Sequence, residues 1–221
     1  MRHGVNMQTL PILYSFRRCP FAIRARLAIA ASGQAVELRE IVLRDKAPEF
    51  LQTSVSATVP CLKTDAVVLD ESLDIMLWAL GIHDPEGWLR PAEGNLEQML
   101  ALITRCDGPF KIHLDRYKYH TRYEDAQRDH ERTTASEFLI ELNARLANRT
   151  WLFGSNASLS DYAILPFVRQ FANTDRTWFD DEDWLALKRW LEAFECSERF
   201  QSVMPKWQRW TVDDRPIRFP A

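Results

Sequence analysis

The amino-acid sequence predicts an α/β domain followed by an all-α domain. Strand-like and helix-like segments alternate over roughly the first eighty residues, the pattern of one mixed sheet with helices on its faces. A stretch at 83–94 that holds two prolines and two glycines interrupts this alternation. Beyond it, apolar residues recur at helical spacing through long segments with charged faces. The 221 residues are enough for two domains, each with its own core.

The elements of the first domain are predicted in the order β-α-β-α-β-β-α. Apolar and branched runs predict the strands, and the first helix ends at Ser32-Gly33, a pair that favours a helix C-cap. The predicted strands are 9–16, 36–43, 59–63 and 66–69, and the predicted helices are 20–31, 46–52 and 72–80.

The second domain is predicted to contain long helices over 96–119 and 124–147, a helix that begins near Ser158, and a helix over 184–194. Ser158-Leu-Ser-Asp161 is close to a capping box, in which Asp161 reaches back to the amide of Ser158. The tail, 207–221, carries prolines and is predicted to be irregular. We therefore expect domains at 8–84 and 95–221, joined by a linker at 85–94.

Composition excludes several classes of function. The net charge of −3 gives no electrostatic reason to expect a nucleic-acid partner. No apolar run approaches the ~20 residues that span a bilayer, and the first residues lack the apolar segment of a secretory signal. The four cysteines form no CxxC pair and show no zinc spacing with histidines. We expect a cytoplasmic protein with reduced thiols, no membrane partner and no metal.

Cys19 precedes Pro20 at the start of the first predicted helix. Proline is favoured at the first helical position, so the cysteine faces unpaired backbone N–H groups and the positive end of the helix dipole. Both stabilise a thiolate, and such positions lower the pKa of a cysteine below its free value near ~8.5. Cys19 is a candidate reactive thiol; a buried structural cysteine is the alternative interpretation.

Two further motifs can bind a ligand. Pro60 opens a predicted strand, where it cannot donate to the ladder. A cis Val59–Pro60 bond would leave the Val59 backbone groups free for a ligand, whereas a trans proline at a strand edge is the alternative. Ser72 can cap the next helix, where amides can hold a carboxylate, and Glu71 could bind an ammonium group. With the thiol, these motifs form a cradle suited to glutathione.

The chain resembles omega-class glutathione transferases in segment 14–29, which reads Tyr-Ser-Phe-Arg-Arg-Cys-Pro-Phe-Ala-Ile-Arg-Ala-Arg-Leu-Ala-Ile. Val42-Leu-Arg-Asp-Lys46 resembles the segment that ends in the glutathione-binding lysine of that class, and Glu71-Ser72 falls on its Glu-Ser pair. The resemblance is specific over about 12–80. In the helical domain it is general, at 158–171, which is similar to a capping-box helix of the superfamily.

The resemblance implies a thioredoxin-like N-terminal domain and an α-helical domain, in a homodimer that uses glutathione as cosubstrate. Cys19 would form a mixed disulfide with glutathione, Lys46 would pair with its glycyl carboxylate, and Val59 would contact its cysteinyl part through the backbone. Pro60 would be cis, and Glu71 with Ser72 would hold the γ-glutamyl end. The implied activities are thiol transfer, deglutathionylation and dehydroascorbate reduction, with a small disulfide or electrophile as second substrate.

The sequence also departs from the class. Segment 53–58 reads Thr-Ser-Val-Ser-Ala-Thr, where the class usually has Asn-Pro and a glycine, and Cys61 stands where an aliphatic residue is usual. These changes are expected to alter the edge of the pocket. Cys61 is predicted to be buried, and Cys106 and Cys196 are interpreted as packing residues.

Two other functions stay open at this point. A conjugating or dehalogenating transferase would activate glutathione with a hydroxyl group, for which Tyr14 and Ser15 are the neighbouring candidates. A non-enzymatic binding protein with the same fold is the second alternative. Arg24 and Arg26 follow a polar helix face and could contact the second domain or a dimer mate.

Overall fold

The computed structural model describes residues 10–220. The start of the first predicted domain at residue 8 and of the first predicted strand at residue 9 lie outside the described residues. The chain divides into two compact units. Within the described residues, the N-terminal unit comprises 10–83 together with 203–220, and the helical unit comprises 84–202. This division differs from the predicted domains, because the last part of the chain returns to the N-terminal unit.

A five-stranded mixed sheet forms the centre of the N-terminal unit, with strand order β4-β3-β1-β2-β5. β1 and β2 are parallel, while β3 pairs antiparallel with β1 and β4 pairs antiparallel with β3. The strands are β1 (Ile12–Ser15), β2 (Val36–Glu40), β3 (Cys61–Lys63), β4 (Val68–Leu69) and β5 (Ile217–Phe219).

β5 corrects the expectation of an irregular tail. Its three residues pair antiparallel with β2, with Val36 opposite Phe219 and Leu38 opposite Ile217. Without it, β2 would be an edge strand with unpaired backbone groups. The segment is short and lies between Pro216 and Pro220, so the sequence carries no ordinary strand signal there.

Three helices accompany this sheet, in the predicted order β-α-β-α-β-β-α: α1 (Pro20–Ser32), α2 (Pro48–Thr53) and α3 (Ser72–Ile82). α1 and α3 pack against each other. α1 begins with proline in its first turn and ends at Gly33, whose φ of 70° is the left-handed conformation of a C-cap. The sequence-based start and end of this helix are confirmed to within one residue.

The helical unit contains α4 (Leu96–Arg105), α5 (Lys111–Lys118), α6 (Arg128–Leu146), α7 (Leu159–Ala172), α8 (Arg176–Asp181), α9 (Leu185–Glu195) and α10 (Glu198–Ser202). The predicted helix at 96–119 is interrupted by a π-helical segment, Cys106–Phe110. Pro109 lies inside it and has no N–H to donate, so the regular hydrogen-bond ladder cannot continue through this point.

The predicted capping box at α7 is present. Asp161 accepts hydrogen bonds from the backbone N–H of Ser158 (2.8 Å) and of Leu152 (2.9 Å), and from the indole of Trp190 (3.1 Å). Its side chain is fully buried. Asp161 therefore does more than cap one helix, because it also joins the preceding loop to α9.

Candidate active site

Four chain segments with predicted site residues meet at one edge of the sheet. β1 and β2 run parallel and end at this edge, whereas antiparallel β3 begins there, with Cys61 opposite Tyr14. β4 ends there too, since Leu69 lies opposite Leu62 near the start of β3. Cys19 follows β1, Lys46 follows β2, Val59–Pro60 precedes β3, and Glu71–Ser72 follows β4. The topology thus brings the predicted segments to the same side of the unit.

Cys19 is the N-cap residue of α1. Its carbonyl accepts the first helical hydrogen bond, from the Ile23 N–H at 2.9 Å, while its own N–H donates to the Phe16 carbonyl at 3.0 Å. The thiol donates to the Val59 carbonyl, with Sγ 3.5 Å from the oxygen. The side chain is half-buried, at the opening of a helix and against the segment that precedes β3.

The Val59–Pro60 peptide bond is cis, as the resemblance implies. Val59 belongs to a buried apolar cluster, against which Cys19 packs. The cluster contains Tyr14, Ile41, Ala47, Phe50, Val59, Cys61 and Trp210. Trp210 comes from the C-terminal segment, so the cluster that contacts Cys19 is formed by residues far apart in the sequence.

The two hydroxyl groups considered for a conjugating enzyme are both engaged. Ser15 is fully buried, and its Oγ accepts a hydrogen bond from the Arg26 guanidinium. The Tyr14 ring is buried in the apolar cluster, and its hydroxyl accepts from Arg39 at 3.0 Å.

Arg24 and Arg26 were expected to contact the second domain or a dimer mate. Arg26 does contact the predicted second domain, since its Nε donates to the Val203 carbonyl, although Val203 belongs to the N-terminal unit. Both are buried inside the N-terminal unit. Arg24 Nε donates to Ser72 Oγ at 2.9 Å. Arg26 donates to Ser15 and to the carbonyl of Arg17. The sequence did not indicate these contacts, because arginine side chains are normally exposed.

Glu71 and Ser72 lie at the start of α3, where Glu71 is the N-cap residue. The Glu71 side chain is exposed, while Ser72 is buried and accepts the hydrogen bond from Arg24. The predicted γ-glutamyl site thus combines the exposed Glu71 carboxylate with the Ser72 hydroxyl, which Arg24 holds in place. Lys46 is half-buried and lies two residues before α2.

Asp70 holds the unusual segment 53–58 in place. Its carboxylate accepts from Ser54 Oγ (2.6 Å) and from the backbone N–H groups of Val55 (3.1 Å) and Ser56 (3.3 Å). Burial acts to raise the pKa of Asp70, but these hydrogen bonds and one from Cys61 outweigh it and lower the pKa. Ala57 has a positive φ of 53°, in the segment where the omega class usually carries a glycine.

The other cysteines differ from Cys19. Cys61 is buried as predicted, and burial together with the neighbouring Asp70 raises the pKa of its thiol to about 12. It is therefore protonated at neutral pH. Cys106 is buried, as expected of a packing residue, but Cys196 is exposed at the end of α9, which corrects its interpretation as one.

Two family models match this chain, and their positions agree with the two parts of the fold. The glutathione S-transferase N-terminal domain matches residues 13–87, and the glutathione S-transferase C-terminal domain matches residues 125–193. Together they cover more than half of the sequence. The chain belongs to the glutathione transferase superfamily.

Curated relatives support this assignment. The chain is 26% identical to the probable glutathione S-transferase parA of Nicotiana tabacum over 166 residues, which is 72% of each protein. It is 25% identical to the probable glutathione S-transferase MSR-1 of Nicotiana plumbaginifolia, over 72% of this chain and 73% of the relative.

Solved glutathione transferases share the fold. A family member from Pseudomonas fluorescens, with two glutathione molecules bound, superposes with a TM-score of 0.76 over 91% of this chain and 95% of its own, at 18% identity. A transferase from Pseudomonas putida, with one glutathione disulfide bound per subunit, gives a TM-score of 0.74 over 91% and 93%, at 20% identity. The predicted fold, a thioredoxin-like domain followed by a helical domain, is confirmed.

Two kinds of feature are absent from residues 10–220. No group of three or more histidine, cysteine, aspartate or glutamate side chains is arranged to hold a metal ion. No helix in this part of the chain combines the length and the apolar character that crossing a bilayer requires.

Proposed function

We propose that this superfamily member is an omega-like thiol transferase that works through a mixed disulfide between Cys19 and glutathione. One observation carries the proposal. The Cys19 sulfur stands at the opening of α1, 3.5 Å from the Val59 carbonyl, while the Ser15 and Tyr14 hydroxyls are bound to arginines. A thiol at this position is suited to nucleophilic attack, since the helix terminus stabilises its anion.

We propose that glutathione binds across the sheet edge. Lys46 pairs with the glycyl carboxylate, Val59 and Pro60 contact the cysteinyl part, and Glu71 with Ser72 holds the γ-glutamyl end. Without a ligand, the Val59 carbonyl accepts a hydrogen bond from the Cys19 thiol. In the complex, the cysteinyl N–H of glutathione donates to this carbonyl and replaces the thiol. Binding therefore frees the sulfur to lose its proton and attack.

The reaction needs one protein thiol. The Cys19 thiolate attacks the glutathionyl sulfur of a mixed disulfide, the bond to the substrate sulfur breaks, and the departing substrate thiolate takes a proton from water. A second glutathione thiolate then attacks the glutathionyl sulfur on Cys19, releases glutathione disulfide and restores the Cys19 thiolate. Ala22 stands where a dithiol enzyme would carry a resolving cysteine.

The finer assignments of quaternary state and compartment are also proposals. We propose a cytoplasmic homodimer. The N-terminal unit exposes the apolar side chains of Leu51, Val55 and Val68, which supports a protein partner on this unit. Sedimentation equilibrium would give twice the chain mass for a homodimer and the chain mass for a monomer.

The proposal predicts that Cys19→Ser reduces a glutathionylated peptide at least about 100-fold more slowly than wild type, because the nucleophile of the first step is lost. Cys196→Ser is the matched control, since it removes an exposed thiol outside the site, and it should retain the wild-type rate. Similar rates for wild type and Cys19→Ser would refute the proposal.

The same variants separate the alternatives. A conjugating enzyme would retain activity toward an electrophilic substrate in Cys19→Ser and lose it in Ser15→Ala or Tyr14→Phe. A non-enzymatic protein would show neither activity, and calorimetric titration with millimolar glutathione would test whether it binds the tripeptide at all.

A further inference from the structure

Arg26 is a buried charge directly below the loop that carries the thiol. The loop runs from Ser15 to Cys19, and Arg26 donates to it twice, to Ser15 Oγ and to the Arg17 carbonyl (2.9 Å). A third hydrogen bond, from Nε, reaches the Val203 carbonyl at 3.0 Å. These three acceptors are neutral oxygens, a fourth is the neutral sulfur of Met204, and the side chain has no exposed surface. Burying a guanidinium without a direct carboxylate partner is costly, so its position requires an explanation.

The titratable groups that face Arg26 come from two neighbouring elements. The thiol loop contributes Cys19 and Arg17, and β2 contributes Glu40. The C-terminal segment contributes neutral groups: the Val203 carbonyl, the Met204 sulfur and the Trp207 ring. Burial lowers the pKa of Arg26 to about 10, and the negative charges of Glu40 and of a Cys19 thiolate oppose that shift. Arg26 still carries its proton at neutral pH.

Glu40 is the counter-charge of this arrangement. Its Oε1 accepts from the Arg17 backbone N–H at 2.6 Å, which fixes the thiol loop from the side of β2. Its Oε2 is buried and has no hydrogen-bond partner among the described residues. Burial raises the pKa of Glu40, although the Arg17 N–H and the charge of Arg26 act in the opposite direction.

Coulombic interaction is mutual. If a thiolate at Cys19 favours the charged form of Arg26, then the charge of Arg26 favours the thiolate by the same free energy. The low polarity around Arg26 strengthens this interaction compared with a solvated arginine. Glu40 acts in the opposite sense, because a carboxylate near the loop opposes a second negative charge.

We propose that Arg26 is a positioning residue that fixes the 15–19 loop and stabilises the Cys19 thiolate from beneath, with Glu40 as the charge that moderates it. This inference rests on the proposed function of Cys19 as a nucleophile. The hydrogen bonds from Arg26 to the Arg17 and Val203 carbonyls have a structural role, and the positive charge of Arg26 has an electrostatic role. Substitutions that keep or remove the charge separate these two roles.

The test is the pH dependence of Cys19 alkylation by iodoacetamide, followed by peptide mass spectrometry in Arg26→Met, Arg26→Lys and Glu40→Gln. Arg26→Met should move the midpoint upward by about one pH unit, as expected for loss of a nearby opposite charge. Glu40→Gln should move it downward, and Arg26→Lys should stay closer to wild type than Arg26→Met. A purely structural role would not produce shifts of opposite sign.

Arg24→Met is the matched control, because Arg24 is an equally buried arginine on the same helix that donates to Ser72. It should leave the midpoint unchanged. If Arg26→Met fails to fold by circular dichroism, Glu40→Gln decides the question, since its midpoint should fall while that of Arg26→Lys stays near wild type. An unchanged midpoint in Glu40→Gln or in folded Arg26→Met, or shifts of the same sign in these two variants, would overturn the inference. The assay uses no glutathione, so the outcome is independent of the activity test on Cys19→Ser.

Discussion

The two ends of the proposed glutathione site are built differently. At the thiol end, Ser15 and Arg26 are fully buried, and their polar groups bind each other and the loop before Cys19. At the other end, Glu71 is exposed and Lys46 is half-buried, and neither side chain forms a hydrogen bond or ion pair within residues 10–220. The polar groups of the thiol end thus have partners without a ligand, whereas the charged groups of the other end are available to pair with a ligand.

This difference separates two kinds of effect. Substitutions at the open end should weaken the binding of glutathione and leave the folded structure intact. Substitutions at the thiol end should change stability or thiol chemistry, because each buried group there supports another.

The largest effect on glutathione binding is expected at the open end. Glu71→Ala should raise the KM for glutathione roughly tenfold to a hundredfold with a smaller change in kcat, since a charge-assisted hydrogen bond to the ligand is lost. Steady-state kinetics with varied glutathione measures this. Asp74→Ala removes an exposed carboxylate three residues further along α3 and should leave the KM unchanged. Equal effects of the two variants would indicate a general loss of charge instead of a binding contact.

A smaller effect, on stability, is expected among the buried groups that support the thiol loop. Ser15→Ala leaves an Arg26 N–H without its acceptor in a buried position, which should lower the free energy of unfolding by about 1 to 3 kcal/mol. Thermal unfolding should show a fall of about 2–4 °C for each kcal/mol in a chain of this size. Thiol transfer should persist, because this hydroxyl is not the nucleophile. If Ser15→Ala keeps its stability but loses activity toward electrophiles, Ser15 is instead a hydroxyl that activates glutathione. The two ends of the site would then not differ in the way described above.

Local signals made much of the first unit predictable. Cys19-Pro20 marks the start of α1 and Gly33 its end, because proline and glycine constrain the backbone where they stand. The Asp161 capping box could also be predicted, because its two partners lie only three residues apart in the sequence. The family resemblance supplied the cis Val59–Pro60 bond, which local sequence left open.

Contacts between distant residues could not be predicted. Nothing near Arg26 in the sequence indicates that it binds Ser15 and the carbonyl of Val203, which lies 177 residues away. The pairing of β5 with β2 is equally remote, and three residues between prolines are too few to show alternation. The π-helical segment was missed because apolar spacing continues through it, although Pro109 was a visible sign of interruption.

The most direct measurement is the mass of the intact protein after incubation with glutathione disulfide. Our account predicts one glutathionyl adduct, located on Cys19 by peptide mapping, reversed by free glutathione and absent in Cys19→Ser. An unmodified Cys19 with glutathione bound non-covalently, or an adduct on the exposed Cys196 alone, would contradict it.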